Sequence, residues 1–260
     1  MTGQPNAPAD DLLIWTAEGA LRSRQFDDVY FSDAGGLDEA RTVFLGGCGL
    51  PAAWLDRSDF TIGELGFGTG LNVLALLDLW RRTHAAGARL QVFSIEAFPL
   101  SAEQARRALE LWPEIAELTQ TLLARWPRRA VGFHRVDLPA LGASLDLAVM
   151  DVERALDAWN GRADAWFLDG FSPSKNPQMW SESVLGAVAR HSAPGARVAT
   201  FTVAGAVRRG LEAQGFETRK MPGFGGKRER LEARMATPPR RVARPPSVAI
   251  VGAGVAGASL

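Results

Sequence analysis

The chain has one cysteine, Cys48, in 260 residues. That excludes a disulfide framework and any multi-cysteine metal site, and it suits a reducing compartment. The three histidines, His84, His134 and His191, stand at no ligand spacing, so no metal is expected. No apolar run reaches the roughly 18 residues that a membrane span needs. The opening MTGQPNAPADD has neither the basic nor the apolar region of a secretory signal, so the expectation is a cytoplasmic protein that does not engage a membrane. Net charge is also lacking, with 29 Lys+Arg against 29 Asp+Glu. Lysines number only three, Tyr30 is the single tyrosine, and there is no internal repeat.

What is present is an ordinary globular composition, 47% hydrophobic and 22% charged. The length suits one large α/β domain or two small ones, and a core of that size holds without staples. The charges are unevenly placed. Residues 1–80 carry twelve Asp/Glu against four Arg, whereas residues 201–245 carry eleven Lys/Arg against four Glu. Such asymmetry hints at nucleic acid or a membrane, although a solvated basic tail beside an acidic face gives it equally.

Residues 1–59 form a mixed preamble. From Phe60 the pattern becomes strand, glycine turn and helix. Leu90–Phe98 reads as a strand. Ser101–Trp112 reads as a helix with Ser101 as N-cap and Gln104 completing a capping box. Further strands are expected at Ala130–Val136, Leu145–Asp151 and Ala163–Phe171. A helix at Met179–His191, a strand at 196–203, a helix at 204–215 and a last extended run at 216–221 follow. Alternating strands and helices predict an α/β, Rossmann-like, mostly parallel sheet with helices on both faces, which binds ligands at the strands' carboxyl ends. Glu64, Glu96, Asp151 and Asp169 each stand where a strand pattern stops, so four carboxylates gather along one edge. After Met235, two Pro-Pro pairs among arginines mark a linker.

Two glycine loops ask for different ligands. In ELGFGTG, Gly66, Gly68 and Gly70 are spaced G-x-G-x-G around Phe67. In VGAGVAG, Gly252, Gly254 and Gly257 have the dinucleotide spacing G-x-G-x-x-G, which serves a pyrophosphate. The sequence stops at Leu260, before the helix and ribose acid of such a site. The first loop suits S-adenosylmethionine, a ligand with no phosphate: close backbone approach, Glu64 before the loop, Glu96 for the ribose hydroxyls, and Asp151 for the adenine amino group.

The segment WFLDGFSPSKNPQMW, Trp166–Trp180, carries the chemistry. Asp169 ends a buried strand pattern, where a carboxylate takes a proton from an amine and aims its lone pair at a methyl donor; a turn residue capping the next helix is the plainer reading. Phe171 offers a π face to a cation or a flipped base. Lys175, beside Asn176, either holds a phosphate or is simply exposed. In DDVYFS, Tyr30 is either part of a lid over the cofactor or a core aromatic. Arg208, Arg209, Lys227 and Arg228, with Arg230, make a candidate phosphate strip, against which stands a solvated hairpin.

Taken in order, DDVYFS, VFLGG, ELGFGTGLN, DAWFLDGFSPSKNPQMW, ATFTVAGAVRRGL and GFGGKRE resemble the methyltransferase half of the bifunctional tRNA 5-methylaminomethyl-2-thiouridine biosynthesis family, over roughly residues 10–236. The resemblance implies a class I S-adenosylmethionine-dependent methyltransferase fold at 1–236, a linker at 237–246, and at 247–260 the truncated start of an FAD-binding Rossmann domain. It implies that Gly66, Gly68, Gly70, Glu96 and Asp151 hold the cofactor, with Asp137 competing for the place of Asp151. Asp169 then lies beside the methyl and the amine of a tRNA wobble uridine. Gly252, Gly254 and Gly257 would serve FAD only in a full-length parent, which would also remove the carboxymethyl group from 5-carboxymethylaminomethyluridine. Rival readings are a small-molecule amine methyltransferase of the same fold, a non-catalytic tRNA-docking module, and a nicotinamide or flavin enzyme, the last excluded for this chain by length.

Overall fold

A computed structural model describes residues 13–16, 21–31 and 35–236. The linker expected at 237–246 and the second glycine loop, with Gly252, Gly254 and Gly257, lie outside the described residues. Three short strands, β1 (Leu13–Trp15), β2 (Leu21–Ser23) and β3 (Asp28–Val29), form a small antiparallel sheet. Helix α1 (Gly36–Glu39) runs on into a π-helical turn over Ala40–Gly46. The described part of the preamble is thus structured, although its strands are too short for alternation to reveal them.

The main sheet has eight strands. In chain order they are β4 (Asp59–Leu65), β5 (Arg89–Ile95), β6 (Gly132–Leu138), β7 (Ala143–Val149), β8 (Ala163–Leu168), β9 (Ser192–Thr200), β10 (Phe216–Pro222) and β11 (Glu229–Met235). In space they run β10-β11-β9-β8-β4-β5-β7-β6. β7, β5, β4, β8 and β9 are mutually parallel, while β6 and β11 run antiparallel to their neighbours. The last hairpin inserts β11 between β9 and β10, unlike the all-parallel 3-2-1-4-5-6 dinucleotide order. The strand expected at Ala130–Val136 is β6. Only the short turn Pro139–Leu141 separates it from β7, too little chain for a parallel crossover, so the two form a hairpin.

Helices α2 (Leu71–Thr83), α3 (Ala102–Leu109) and α4 (Ala116–Leu123) cover one face. Helices α5 (Val152–Ala158), α6 (Glu182–Arg190) and α7 (Gly205–Ala213) cover the other. Alternation along the strands feeds both cores: Ile62, Val92 and Phe167 face the first, and Leu65, Phe93 and Trp166 the second. Burying each such side chain contributes roughly 1.5–3 kcal/mol. Fully buried tryptophans keep their polar handle satisfied, Trp80 donating to the Leu141 carbonyl at 2.8 Å and Trp166 to the Ser192 hydroxyl at 3.0 Å.

The capping box at Ser101 and Gln104 is present, and α3 follows it. The helix expected at Met179–His191 is instead a 3-10 turn, Pro177–Trp180, followed by α6 with Ser181 as N-cap. Ser181 Oγ accepts from the Val184 N–H, which restarts the helix there. β4 lies between β5 and β8, and the helices change faces across that pair, so a crevice opens at their carboxyl ends.

Candidate active site

The registers Leu65↔Ile95, Leu65↔Leu168 and Ile95↔Ala148 align four strand ends. Gly66, Glu96 and Asp169 are each the next residue along and so stand side by side. They open onto a cavity of about 570 Å³ walled further by Phe26, Tyr30, Glu39, Phe67, Asn72, Phe98, Phe171, Met179 and Lys227.

The glycine loop is shaped by what surrounds it. The N–H groups of Gly66 and Phe67 both donate to the Ile95 carbonyl at 3.0 Å. Gly66 has φ 91°, and a Cβ there would lie 1.9 Å from the Asp169 carbonyl oxygen, so only glycine admits β8 this close. Gly68, at φ 54°, donates its N–H to Glu96 Oε2 at 2.9 Å. Gly70 begins α2 from a left-handed conformation and is not part of the cavity wall.

Glu96 is held at both oxygens, Oε1 accepting from the Phe98 N–H at 2.9 Å. Burial raises its pKa, and the N–H donors of Phe98 and Gly68 oppose that. Both oxygens keep free lone pairs for the paired hydroxyls of a ribose. Glu64 lies wholly buried on β4, behind the loop. Ser94 Oγ donates to its Oε2 at 2.5 Å, and its Oε1 has no partner among the described residues. Burial pushes this carboxyl up to about 8, and the charges of Asp169 and Glu96 push the same way. Glu64 does not line the cavity, so the fit to a ligand rests on the glycine cradle and on Glu96, which takes hydroxyls and would repel a dinucleotide's phosphates. The residues present therefore fit S-adenosylmethionine.

Asp169 is tied to β4 by its N–H, which donates to the Leu65 carbonyl at 3.0 Å. Its Oδ2 accepts from Asn72 Nδ2 at 2.7 Å. Burial lifts its pKa to about 7; the Glu39 charge adds to this, while Asn72 and Lys227 oppose it. Lys227 Nζ donates to Glu39 Oε1 at 2.7 Å and sits 4.5 Å from the Phe201 ring centre. Phe171 stacks on Phe26 at 4.7 Å and meets Tyr30 edge-on at 5.3 Å, giving the cavity an aromatic wall. Tyr30 also reaches over the loop: a Cβ on Gly68 would lie 3.3 Å from its ring. Burial raises its phenol pKa, and the Glu96 charge adds to that.

Of the residues singled out from sequence, Gly66, Phe67, Gly68, Glu96, Asp169, Phe171, Tyr30 and Lys227 meet in this cavity. Asp151 does not line it: its side chain caps α5 and its Oδ2 accepts from Gln178. Asp137 pairs with Arg135 at 2.8 Å on the edge strand. Lys175 is bound to Asp27 at 2.9 Å. Arg208 pairs with Glu212 at 2.7 Å and Arg230 with Glu232 at 2.7 Å, and Lys227 is turned inward to Glu39. Neither Arg209 nor Arg228 reaches the cavity. The expected phosphate strip is thus largely engaged with acids of its own elements. Sequence reading assigned no role to Asn72, Glu39 or Met179; the one signal available was Asn72, a lone amide in the otherwise apolar opening of α2.

No helix among the described residues is long and apolar enough to cross a membrane, and no group of three or more metal-ligating side chains is assembled among them.

Sheet order, glycine cradle and strand-end carboxylates together define the fold of the class I S-adenosylmethionine-dependent methyltransferases. Residues 113–236 match the family model described as S-adenosyl-L-methionine-dependent methyltransferase. The chain is similar to part of the tRNA 5-methylaminomethyl-2-thiouridine biosynthesis bifunctional protein MnmC of several bacteria. It is 60% identical to the MnmC protein of Caulobacter vibrioides over 98% of this chain and 43% of that protein. It is 48% identical to that of Maricaulis maris over 95% of this chain and 43% of the relative. The chain therefore spans less than half the length of these relatives. Among solved structures, MNMC2 from Aquifex aeolicus superposes with a TM-score of 0.65 at 26% identity, over 88% of this chain and 72% of that one.

Proposed function

We propose that this chain transfers a methyl group from S-adenosylmethionine to the primary amine of 5-aminomethyl-(2-thio)uridine at the tRNA wobble position, giving 5-methylaminomethyl-(2-thio)uridine. The observation that carries the reading is Asp169: a carboxylate held by Asn72 at 2.7 Å, titrating near neutrality, at the wall of an aromatic cavity beside the glycine loop. The relatives' name, with its 5-methylaminomethyl-2-thiouridine, supplies the substrate class.

Bound S-adenosylmethionine supplies a methyl carbon on a sulfonium. Glu96 would hold the ribose hydroxyls, and the backbone of the glycine loop would lie against the rest of the cofactor. Phe171 and Tyr30 stack the unpaired uracil. Asp169 accepts an N–H from the amine so that the nitrogen lone pair faces the methyl. With the cofactor bound, methyl transfer to the amine would leave a neutral thioether, and Asp169 would take the proton that the amine gives up. Residues 1–236 act as the catalytic unit, with 237–246 as a linker. In the longer relatives, the fingerprint of Gly252, Gly254 and Gly257 would open an FAD-dependent half. Work on tRNA puts the protein in the cytoplasm.

The test is methyl transfer from labelled S-adenosylmethionine to tRNA bearing 5-aminomethyluridine, read by nucleoside mass spectrometry. A methyl gained there and not on unmodified tRNA is expected. Cofactor binding with transfer only to small amines would overturn the tRNA substrate.

A further inference from the structure

The loop between α4 and β6 carries Arg125, Arg128 and Arg129 within five residues, all exposed. Among the described residues, none of the three side chains has an ion-pair or hydrogen-bond partner. This sets them apart from other cations nearby: Lys175 is held by Asp27, Lys227 by Glu39, and Arg135 by Asp137 and Asp146. Like charges this close repel each other, and no acid among the described residues pairs with them.

The loop is nevertheless fixed in place. The Trp126 indole N–H donates to the Leu100 carbonyl at 3.0 Å, and its ring lies 5.2 Å from that of Phe67 in the cavity wall. Pro127 is buried beside it. β6 begins at Gly132 opposite Val149, the last residue of β7, so the arginines stand at the same carboxyl edge of the sheet as the cavity. An exposed guanidinium cluster with no acid partner among the described residues, at the same edge of the sheet as an aromatic cavity, fits a polyanion that also presents an unpaired base. Guanidinium forks match phosphate oxygens, and single-stranded RNA loops offer both features. We propose that Arg125, Arg128 and Arg129 hold backbone phosphates of the RNA whose nucleotide enters the cavity. This rests on the tRNA reading above.

The experiment compares the chain with its Arg125→Gln/Arg128→Gln/Arg129→Gln variant in tRNA binding across a salt series. The same charge is removed from the opposite edge as a control, with Arg89→Gln/Arg162→Gln/Arg190→Gln. Each phosphate contact contributes about 0.7–0.9 to the slope of log affinity against log salt. The loop variant is expected to bind tRNA about tenfold or more weakly at low salt, with a slope shallower by about 2. Its melting temperature and S-adenosylmethionine affinity should be unchanged, and the control should keep the parent slope. Should the triple variant fail to fold, Arg128→Gln alone should lower the slope by roughly 1. Methylation of tRNA with a parental slope in the loop variant would overturn the surface and leave the function standing. Methylation of small amines with no salt-dependent tRNA binding by the parent chain would overturn both. Binding to phosphatidylserine vesicles that the substitutions abolish, with tRNA binding intact, would reassign the loop to lipid.

Discussion

Under the proposed function Asp169 takes the amine proton, and burial lifts its carboxyl to about 7, which makes it a stronger base than an ordinary aspartate. Asp169→Asn keeps the shape and the Asn72 neighbour but cannot take a proton. Turnover should fall about 10²–10⁴-fold, while S-adenosylmethionine affinity by calorimetry stays within about threefold of the parent. A kcat near that of the parent would remove Asp169 from proton transfer. Lys227 opposes the rise in the Asp169 pKa and holds Glu39, whose charge promotes it. In Lys227→Met the Asp169 pKa should rise further, so the acid limb of the kcat–pH profile moves from about 7 to higher pH; an unmoved limb would mean that Asp169 is not the group titrating there. The two sides of this pair lie 188 residues apart in the chain. That distance is why Glu39 was invisible to motif reading, whereas Asp169, ending an apolar run before a glycine, was plain.

Elements carry information that single residues do not. Strand β4, its glycine turn and α2 form one contiguous signal, and the structure reproduces it because the positive φ at Gly66 and Gly68 and the apolar run of α2 are local requirements. Gly66→Ala would place a methyl 1.9 Å from the Asp169 carbonyl and force β8 away from β4. That variant should lose S-adenosylmethionine binding and several degrees of melting temperature together, whereas Gly87→Ala, at a positive-φ glycine with open space, should show only the backbone strain. If Gly66→Ala binds cofactor as the parent does, the cradle is not set by this contact. Less legible were the elements whose character depends on partners. β6 reads as one more strand of a parallel sheet until the three-residue turn to β7 is recognised as too short for a crossover. The Gly223–Met235 segment reads as a basic strip, but Lys227 turns to Glu39 of α1, Arg230 pairs with Glu232 of its own strand, and Glu229 takes Lys220 of β10.

At the scale of the whole molecule, three buried carboxyls of raised pKa, Glu64, Glu96 and Asp169, shape stability. Glu64 titrates at about 8 in the fold against an ordinary 4.5, and Asp169 at about 7 against 3.8. Between those limits the folded chain keeps protons that the unfolded chain has released. Stability without cofactor should therefore be fully present below about pH 4 and decline as pH rises toward 8. Thermal melts should show this decline, Glu64→Gln should flatten it, and an equal decline in that variant would refute the assignment. Fold class was legible at this scale because strand–helix alternation and strand-end acids are repeated many times along the chain. The small β1–β3 sheet was not, since its strands of two and three residues carry no period.

That small sheet grips the segment after Asp169 at two points. Asp28 Oδ2 accepts from the Ser172 N–H at 2.9 Å, and Asp27, in a left-handed conformation at φ 49°, binds both Arg22 and Lys175. Asp28 and Ser172 both line the cavity, so in the proposed reaction release of the spent cofactor goes with opening of this clasp. Ionic strength then acts on the catalytic cycle twice and in opposite senses. Salt weakens capture of a polyanionic substrate and lowers kcat/KM, yet it loosens the exposed Asp27 clasp and shortens the dwell of product. Moderate salt should raise kcat while lowering kcat/KM, and Lys175→Met should show the higher kcat already at low salt. The clasp would thus serve as the turnover clock of the enzyme.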